Sequence, residues 1–221
     1  MNELTVTCVF VQGEYPYTPD YVTRLRAMVT RWSDRPFRFV CLTDRPWLFT
    51  DVDTITVQRW PNCFAYWTKL ELFNPVRQWP GRVLYLDLDT LIVAPLRSIL
   101  DMPAPFAITH DPGRPGQKTI DRFGRKIVRR FNSSVMVFDG GTHTDLYTDW
   151  TPMAAHRLSG DQDYLAERLQ GAVGMPRAWF PRLSEVTGPP FGDAKVILSK
   201  HPKNHIALER FPWFESYWSA A

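Results

Sequence analysis

The stretch RVLYLDLDTLIV, Arg82 to Val93, decides how this chain is read. An apolar run of strand-forming residues that ends in two acids one residue apart describes a hydrophobic strand with charge at its far end. Side chains alternate along a strand, so this reading sends Asp87 and Asp89 to the same side, where both carboxylates reach one cation. Mg²⁺ or Mn²⁺ is a hard ion that takes carboxylate, phosphate and water oxygens, the arrangement that holds a nucleotide diphosphate. Two acids on a buried strand are costly unless something pairs them, which gives the pattern more weight than an Asp-x-Asp in a surface loop. Salt-bridging or solvation of both acids at the strand end satisfies the same requirement.

Upstream, LTVTCVFV (4–11) reads as a largely buried first strand, and Val22, Leu25, Val29 and Trp32 recur at helical spacing. FRFVCLT (37–43) is a second strand, so strand, helix and strand give the βαβ opening of a parallel sheet. DTITVQRW (53–60) predicts a third strand, and Asn62 is placed to cap a helix through WTKLELF that Pro75 stops. Downstream, FAITH (106–110) and SVMVFDG (134–140) predict strands. Ser159 and Gln162 fit a capping box for the helix DYLAERL, which carries Leu165 and Leu169 on one face. KVILS is the last predicted strand, followed by HPKNH and the aromatic RFPWFESYW.

At 221 residues and 44% apolar content, the chain suits one α/β core, so residues 1–221 are expected to form a single domain. The first residues do not suit a signal peptide, and no stretch approaches the roughly 20 apolar residues of a membrane span. Cys8, Cys41 and Cys63 are odd in number and lack metal spacing, which predicts reduced thiols and a cytoplasmic location. The formal charge of +3 is local in origin: residues 114–130 hold seven Arg or Lys and one Asp. If helical, this segment places Lys118, Arg122, Arg125, Lys126 and Arg129 on one face, suited to phosphates or an anionic polymer, and equally to solvent.

The ordered runs FRFVCLTD, WTKLELF, RVLYLDLDTLIV, FNSSVMVFDG, GDQDYL and the late His201 resemble the landmarks of GT-A nucleotide-sugar transferases. The likeness is greatest to relatives of the glycogenin-like family 8, and it spans residues 4 to 205. It implies an α/β, Rossmann-like, mixed and mostly parallel sheet flanked by helices, with a nucleotide site at the carboxyl ends of its strands. It also implies transfer of a hexose or pentose from a nucleoside-diphosphate sugar, UDP-linked, to an acceptor hydroxyl, with Mn²⁺ or Mg²⁺ as cofactor and retention of configuration.

Residue by residue, the resemblance makes Asp89 the direct metal ligand, with Asp87 nearer the ribose or metal. Lys69 falls at a phosphate-contacting lysine, where a solvated helix lysine is the plain alternative. Asp44 is implied near the base or ribose, although a turn-forming aspartate also explains it. Asn132, Ser133 and Ser134 match a sugar-lining FNSG segment with Ser134 in place of its glycine. Asp161 and Gln162 match the DQ pair beside the anomeric carbon. His201 matches a third metal ligand of an HxGxxKP segment, but the glycine is absent, His205 competes, and Lys203 is left for the diphosphate. Trp179, Trp213 and Trp218 suit sugar stacking or the core. Two other classes fit parts of the pattern. In a haloacid dehalogenase-type phosphatase Asp87 is the nucleophile and Asp89 the acid, and a nucleic-acid-directed transferase or binding module uses segment 114–130 on a phosphate-rich partner.

Overall fold

A computed structural model describes residues 3–13, 15–111, 117–199 and 211–219. In chain order the strands are β1 (Leu4–Phe10), β2 (Arg38–Thr43), β3 (Asp53–Thr56), β4 (Arg82–Leu86), β5 (Thr90–Ile92), β6 (Phe106–His110), β7 (Gln117–Ile120), β8 (Lys126–Arg129), β9 (Phe131–Asp139), β10 (Val173–Met175) and β11 (Val196–Leu198). Helices are α1 (Pro19–Trp32), α2 (Arg97–Leu100), α3 (Asp145–Thr148), α4 (Pro152–Arg157) and α5 (Asp161–Arg168), with a short helix at Phe214–Trp218.

Seven strands form one sheet in the order β10-β6-β9-β4-β1-β2-β3, and β9 alone runs against the others. Helical segments cover both faces, so the expected mixed, mostly parallel α/β sheet is what forms. Alternation sorts each strand between two cores. In β4, Leu84 and Leu86 join the core under α1, with Val22, Leu25, Met28 and Val29, while Val83 and Tyr85 join the core on the other face, with Trp67, Leu70, Phe73 and Leu165. Burial on both faces is why the central strands read as nearly continuous apolar runs. Cys8, Cys41 and Cys63 are free thiols, all buried. Among the described residues no helix is long and apolar enough to cross a membrane.

Several local expectations are corrected. The single strand expected over 82–93 breaks in two: β4 ends at Leu86, and residues 87–89 turn, closed by Thr90, whose amide and hydroxyl both donate to the Asp87 carbonyl at 3.2 and 2.7 Å. β5 then leaves the main sheet and pairs antiparallel with β11. The third strand stops at Thr56, short of Trp60, and β9 begins three residues before Ser134. The segment containing WTKLELF is a 3₁₀ helix, Ala65–Phe73, with Phe64 at its N-cap, while Asn62 takes a left-handed φ of 59° and does not cap it. Every residue from Trp67 to Phe73 is buried, so packing on all sides, not an amphipathic stripe, governs its geometry.

Nor is Ser159 the cap of α5. Gly160 holds that place, and the Ser159 amide instead donates to Asp163 Oδ2 at 3.2 Å. The basic segment is a hairpin, β7 with β8, and not a helix, so its cations do not share a helical face. Asp121 builds the turn: Oδ1 accepts from the amides of Phe123 at 2.9 Å and Arg125 at 2.7 Å, and Gly124 supplies the left-handed residue.

Gly81 and Gly124 both have positive φ but differ in surroundings. A Cβ on Gly81 would lie 2.2 Å from the Glu3 carbonyl oxygen, whereas one on Gly124 meets nothing within 4 Å. Gly81→Ala is therefore expected to lose about 3 kcal/mol or more, from backbone strain plus overpacking. Gly124→Ala is expected to lose only about 1–2 kcal/mol, from strain alone. Urea unfolding of both variants checks the ranking, and equal losses would contradict it.

Candidate active site

Because β1, β2 and β4 are parallel, their carboxyl ends at Phe10, Thr43 and Leu86 open on one edge, and antiparallel β9 brings its first residues there too. Buried polar residues concentrate at this edge. Lys69, on the 3₁₀ helix, is 5% exposed and places Nζ 3.0 Å from Asp87 Oδ1, 3.2 Å from Asp161 Oδ2, 2.9 Å from Ser133 Oγ and 3.3 Å from the Ser133 carbonyl. An ammonium has three N–H donors, so four acceptors already exceed its capacity. Burial alone pulls the Lys69 pKa down, but Asp161 and Asp87 outweigh it and hold the group above the ordinary lysine value. Of the two sequence readings, solvation of Lys69 is thus overturned, because the side chain is enclosed by its acid partners.

The remaining bonds tie those partners down. Ser133 Oγ donates to Asp161 Oδ2 at 2.6 Å, and Tyr85 donates to Asp87 Oδ1 at 2.5 Å. Burial followed by the Asp87 carboxylate pushes the Tyr85 phenol well above its usual pKa, so it stays a donor. The Asp87 amide donates to the Ser134 carbonyl at 2.8 Å, which ties the end of β4 to β9.

A bulge in β9 makes the arrangement possible. Against β6, Ile108 faces Met136 but the next residue, Thr109, faces Asn132, so Ser133, Ser134 and Val135 are extra on the β9 side. Thr109 Oγ1 donates to the Val135 carbonyl at 3.0 Å, and Ser134 donates its amide to Asn132 Oδ1 at 2.9 Å. Bulges re-aim side chains at a sheet edge, and this one aims Ser133 at Lys69 and Asp161.

Asp89 is 7% exposed. Tyr17, in the loop after β1, hydrogen-bonds it, and burial with the charges of Asp89 and Asp87 raises the Tyr17 phenol far above its usual range. The charges of both acids thus reach one phenol at the strand end, and a turn, not strand alternation, separates Asp87 from Asp89. Asp44 accepts from the Gln12 amide at 3.1 Å and joins the ends of β1 and β2. Gln162 lies half-buried in the first turn of α5, beside Asp161. Trp213 and Trp218 pack with the core under α1, and Trp179 lies against the same core. His201, Lys203 and His205 lie outside the described residues.

Tyr85 and Tyr17 are the residues that sequence reasoning missed. Period-two alternation contained the first, since Tyr85 precedes Asp87 by two, whereas no local pattern pointed Tyr17 at Asp89. Among the described residues no group of three or more His, Cys, Asp or Glu is placed to hold a metal ion. The donor set of Asp87 and Asp89 suits a hard cation whose remaining ligands are phosphate and water oxygens.

No protein-family model matches the sequence, and no curated protein matches it. Solved structures do. The galactosyltransferase LgtC, in complex with donor and acceptor sugar analogues, superimposes with a TM-score of 0.61 over 98% of this chain and 92% of LgtC, at 14% identity. This chain has the GT-A fold. The glycosyltransferase GlyE of Streptococcus pneumoniae TIGR4 matches at 0.56 and 15% identity, over 96% of this chain and 54% of GlyE. The bifunctional glycosyltransferase WbbM matches at 0.53 and 12% identity, over 89% of this chain and 45% of WbbM. This chain therefore spans nearly all of LgtC and about half of the other two GT-A proteins.

Removing Lys69 strands the buried carboxylate of Asp161 and the half-buried one of Asp87. Lys69→Met is expected to cost about 3–5 kcal/mol in chemical unfolding. Combined with Asp161→Asn it should lose less than the two single losses added together, with a coupling of about 0.5–3 kcal/mol. Strict additivity in the cycle would show that the two side chains do not interact.

Proposed function

We propose that the chain transfers a sugar from a nucleoside-diphosphate sugar, UDP-linked, to an acceptor hydroxyl, with the donor diphosphate held over Asp87 and Asp89 through Mn²⁺ or Mg²⁺. The observation that carries this reading is the placement of Asp87, Asp89 and Asp161 around Lys69 and Tyr17 at the carboxyl edge of a GT-A sheet. Open α/β sheets bind ligands at that edge.

The chain's own residues divide the work. Lys69 and Tyr85 both engage Oδ1 of Asp87, which fixes the carboxylate and leaves Oδ2 for a cation. Tyr17 hydrogen-bonds Asp89. Asp87 and Asp89 would hold a divalent cation, which would supply positive charge against the departing diphosphate. Lys69, with its donors already committed, acts on the donor sugar through Asp87 and Asp161 and not by direct contact with phosphate. Asp161 has Oδ2 engaged by Lys69 and Ser133, so Oδ1 is the oxygen offered to a sugar hydroxyl. Gln162 places a neutral carboxamide next to the reacting face, and an LgtC variant with an active-site glutamine replaced by glutamate is among the solved structures of this fold. Asn132 and Ser134, both half-buried, line the sugar pocket, Ser133 is enclosed beneath them and holds Lys69 and Asp161, and Asp44 sits beside the nucleoside. His201 completes the metal site, with His205 its competitor, and Lys203 meets the diphosphate. The bond from C1 to the diphosphate breaks with oxocarbenium character, the acceptor hydroxyl oxygen bonds C1 as its proton passes to the departing diphosphate, and the resemblance implies retention. The phosphatase alternative loses ground because LgtC, GlyE and WbbM, which share this fold, are glycosyltransferases.

Nucleotide release from a panel of UDP-, GDP- and ADP-sugars with Mn²⁺ tests the proposal. One nucleotide family is expected to turn over. Asp89→Asn and Asp161→Asn should each slow release by roughly 100-fold or more, the scale of losing one preorganised charge-stabilising group. Hydrolysis of a simple phosphate ester with no nucleotide release would instead favour the phosphatase.

A further inference from the structure

The β7–β8 hairpin takes no part in the site, yet it carries the chain's strongest local charge together with exposed apolar side chains. Ile127 points inward and is 2% exposed, packed in the core that includes Leu165 of α5. Its neighbour Lys126 and the residue paired with Lys126 across the ladder, Ile120, therefore lie on the outer face. Ile120 is 63% exposed, Phe123 at the turn is 52% exposed, and Met153 on α4 is 60% exposed.

Phe123 and Met153 adjoin through His156, and Ile120 ends β7 three residues before Phe123. The Phe123 ring lies 6.0 Å from the His156 ring, and His156 follows Met153 by three residues on the same face of α4. The Arg122 amide donates to the Arg157 carbonyl at 3.1 Å, which docks the turn on the end of α4. Arg122, Arg125, Lys126 and Arg130 are exposed around the apolar group. The nearby acids are occupied: Asp121 by Arg157 at 2.8 Å and by two turn amides, and Glu167 by Arg157. The turn is thus held in place by Asp121 while it presents Phe123 outward, so the exposure is built in.

We propose that this hairpin and the adjoining face of α4 form a docking surface for an anionic lipid bilayer, with Ile120, Phe123 and Met153 entering the interface and the surrounding cations meeting lipid phosphates. Exposed apolar side chains ringed by Lys and Arg are what an interfacial anchor needs, since apolar burial and attraction to anionic lipid act together. A nucleic acid would be met by the cations and by Phe123, but it offers nothing for the aliphatic Ile120 and Met153 to enter. The proposal is independent of the donor chemistry above, because none of these residues belongs to the site.

Co-sedimentation of the full chain with phosphatidylcholine vesicles, with and without phosphatidylglycerol, tests it. Binding is expected to require phosphatidylglycerol and to weaken with salt. Arg122→Ala and Lys126→Ala should each lower partitioning about fivefold. The double variant Ile120→Asp, Phe123→Asp should abolish binding even at low salt, with an unchanged unfolding midpoint because both side chains are exposed. A wild-type chain that ignores anionic vesicles would overturn the proposal. So would an aspartate variant that binds them as well as wild type. Salt-sensitive binding of an RNA or DNA probe without vesicle binding would transfer the surface to nucleic acid and overturn it equally.

Discussion

A single buried ammonium sets the terms for the whole carboxyl edge. Lys69 sits among Asp87, Asp161 and Ser133, and each of these comes from a different part of the chain: the end of β4, the start of α5 and the bulge in β9. An unpaired cation at 5% exposure would be expensive, and so would the two acids without it, so the three elements must arrive together or not at all. The 3₁₀ helix that bears Lys69 is buried on every side, which leaves little freedom to swing the side chain elsewhere. The edge is therefore preorganised: Asp87 is fixed from one side by Lys69 and Tyr85, and Tyr17 hydrogen-bonds Asp89.

Preorganisation of this kind is what a site for a charged diphosphate requires. Charge that develops on a leaving group is best met by groups that need not move, in surroundings with little water. The GT-A sheet supplies the rigid support, since β4 is flanked by β1 and β9 and its side chains enter cores on both faces. The lipid-facing hairpin is carried by the same support, for Ile127 packs with the α5 side of the core while Asp161 starts that helix. β8 leads directly into β9, whose first residues reach the donor edge, so the hairpin and that edge are adjoining parts of one structural unit.

Much of the fold was legible because the central strands are buried on both faces and announce themselves as apolar runs. FAITH coincides with β6, and the helical spacing of Val22, Leu25 and Val29 gives α1. The failures came where tertiary contacts override local pattern. The turn at 87–89 depends on Thr90 closing back on Asp87, and the start of α5 depends on Asp163 reaching the Ser159 amide. The hairpin over 117–129 was masked by its charges, which suggested a helical face although its β-branched residues and Gly124 favour a turn between strands. Of the site, the acids were visible as a motif, but the bulge that aims Ser133 and the loop that brings Tyr17 to Asp89 are long-range features that no spacing encodes.

The central claim is that this edge holds a nucleoside diphosphate through a divalent metal, and thermal unfolding tests it most directly. The chain would be melted with UDP, GDP, ADP and their sugars, each with Mn²⁺ and each with a chelator. A ligand present at a hundred times its Kd stabilises the native state by about 2.7 kcal/mol, enough to read as a clear rise in midpoint. The account predicts such a rise for one nucleotide family, uridine, only when Mn²⁺ is present. Midpoints that ignore every nucleotide in both conditions would contradict it.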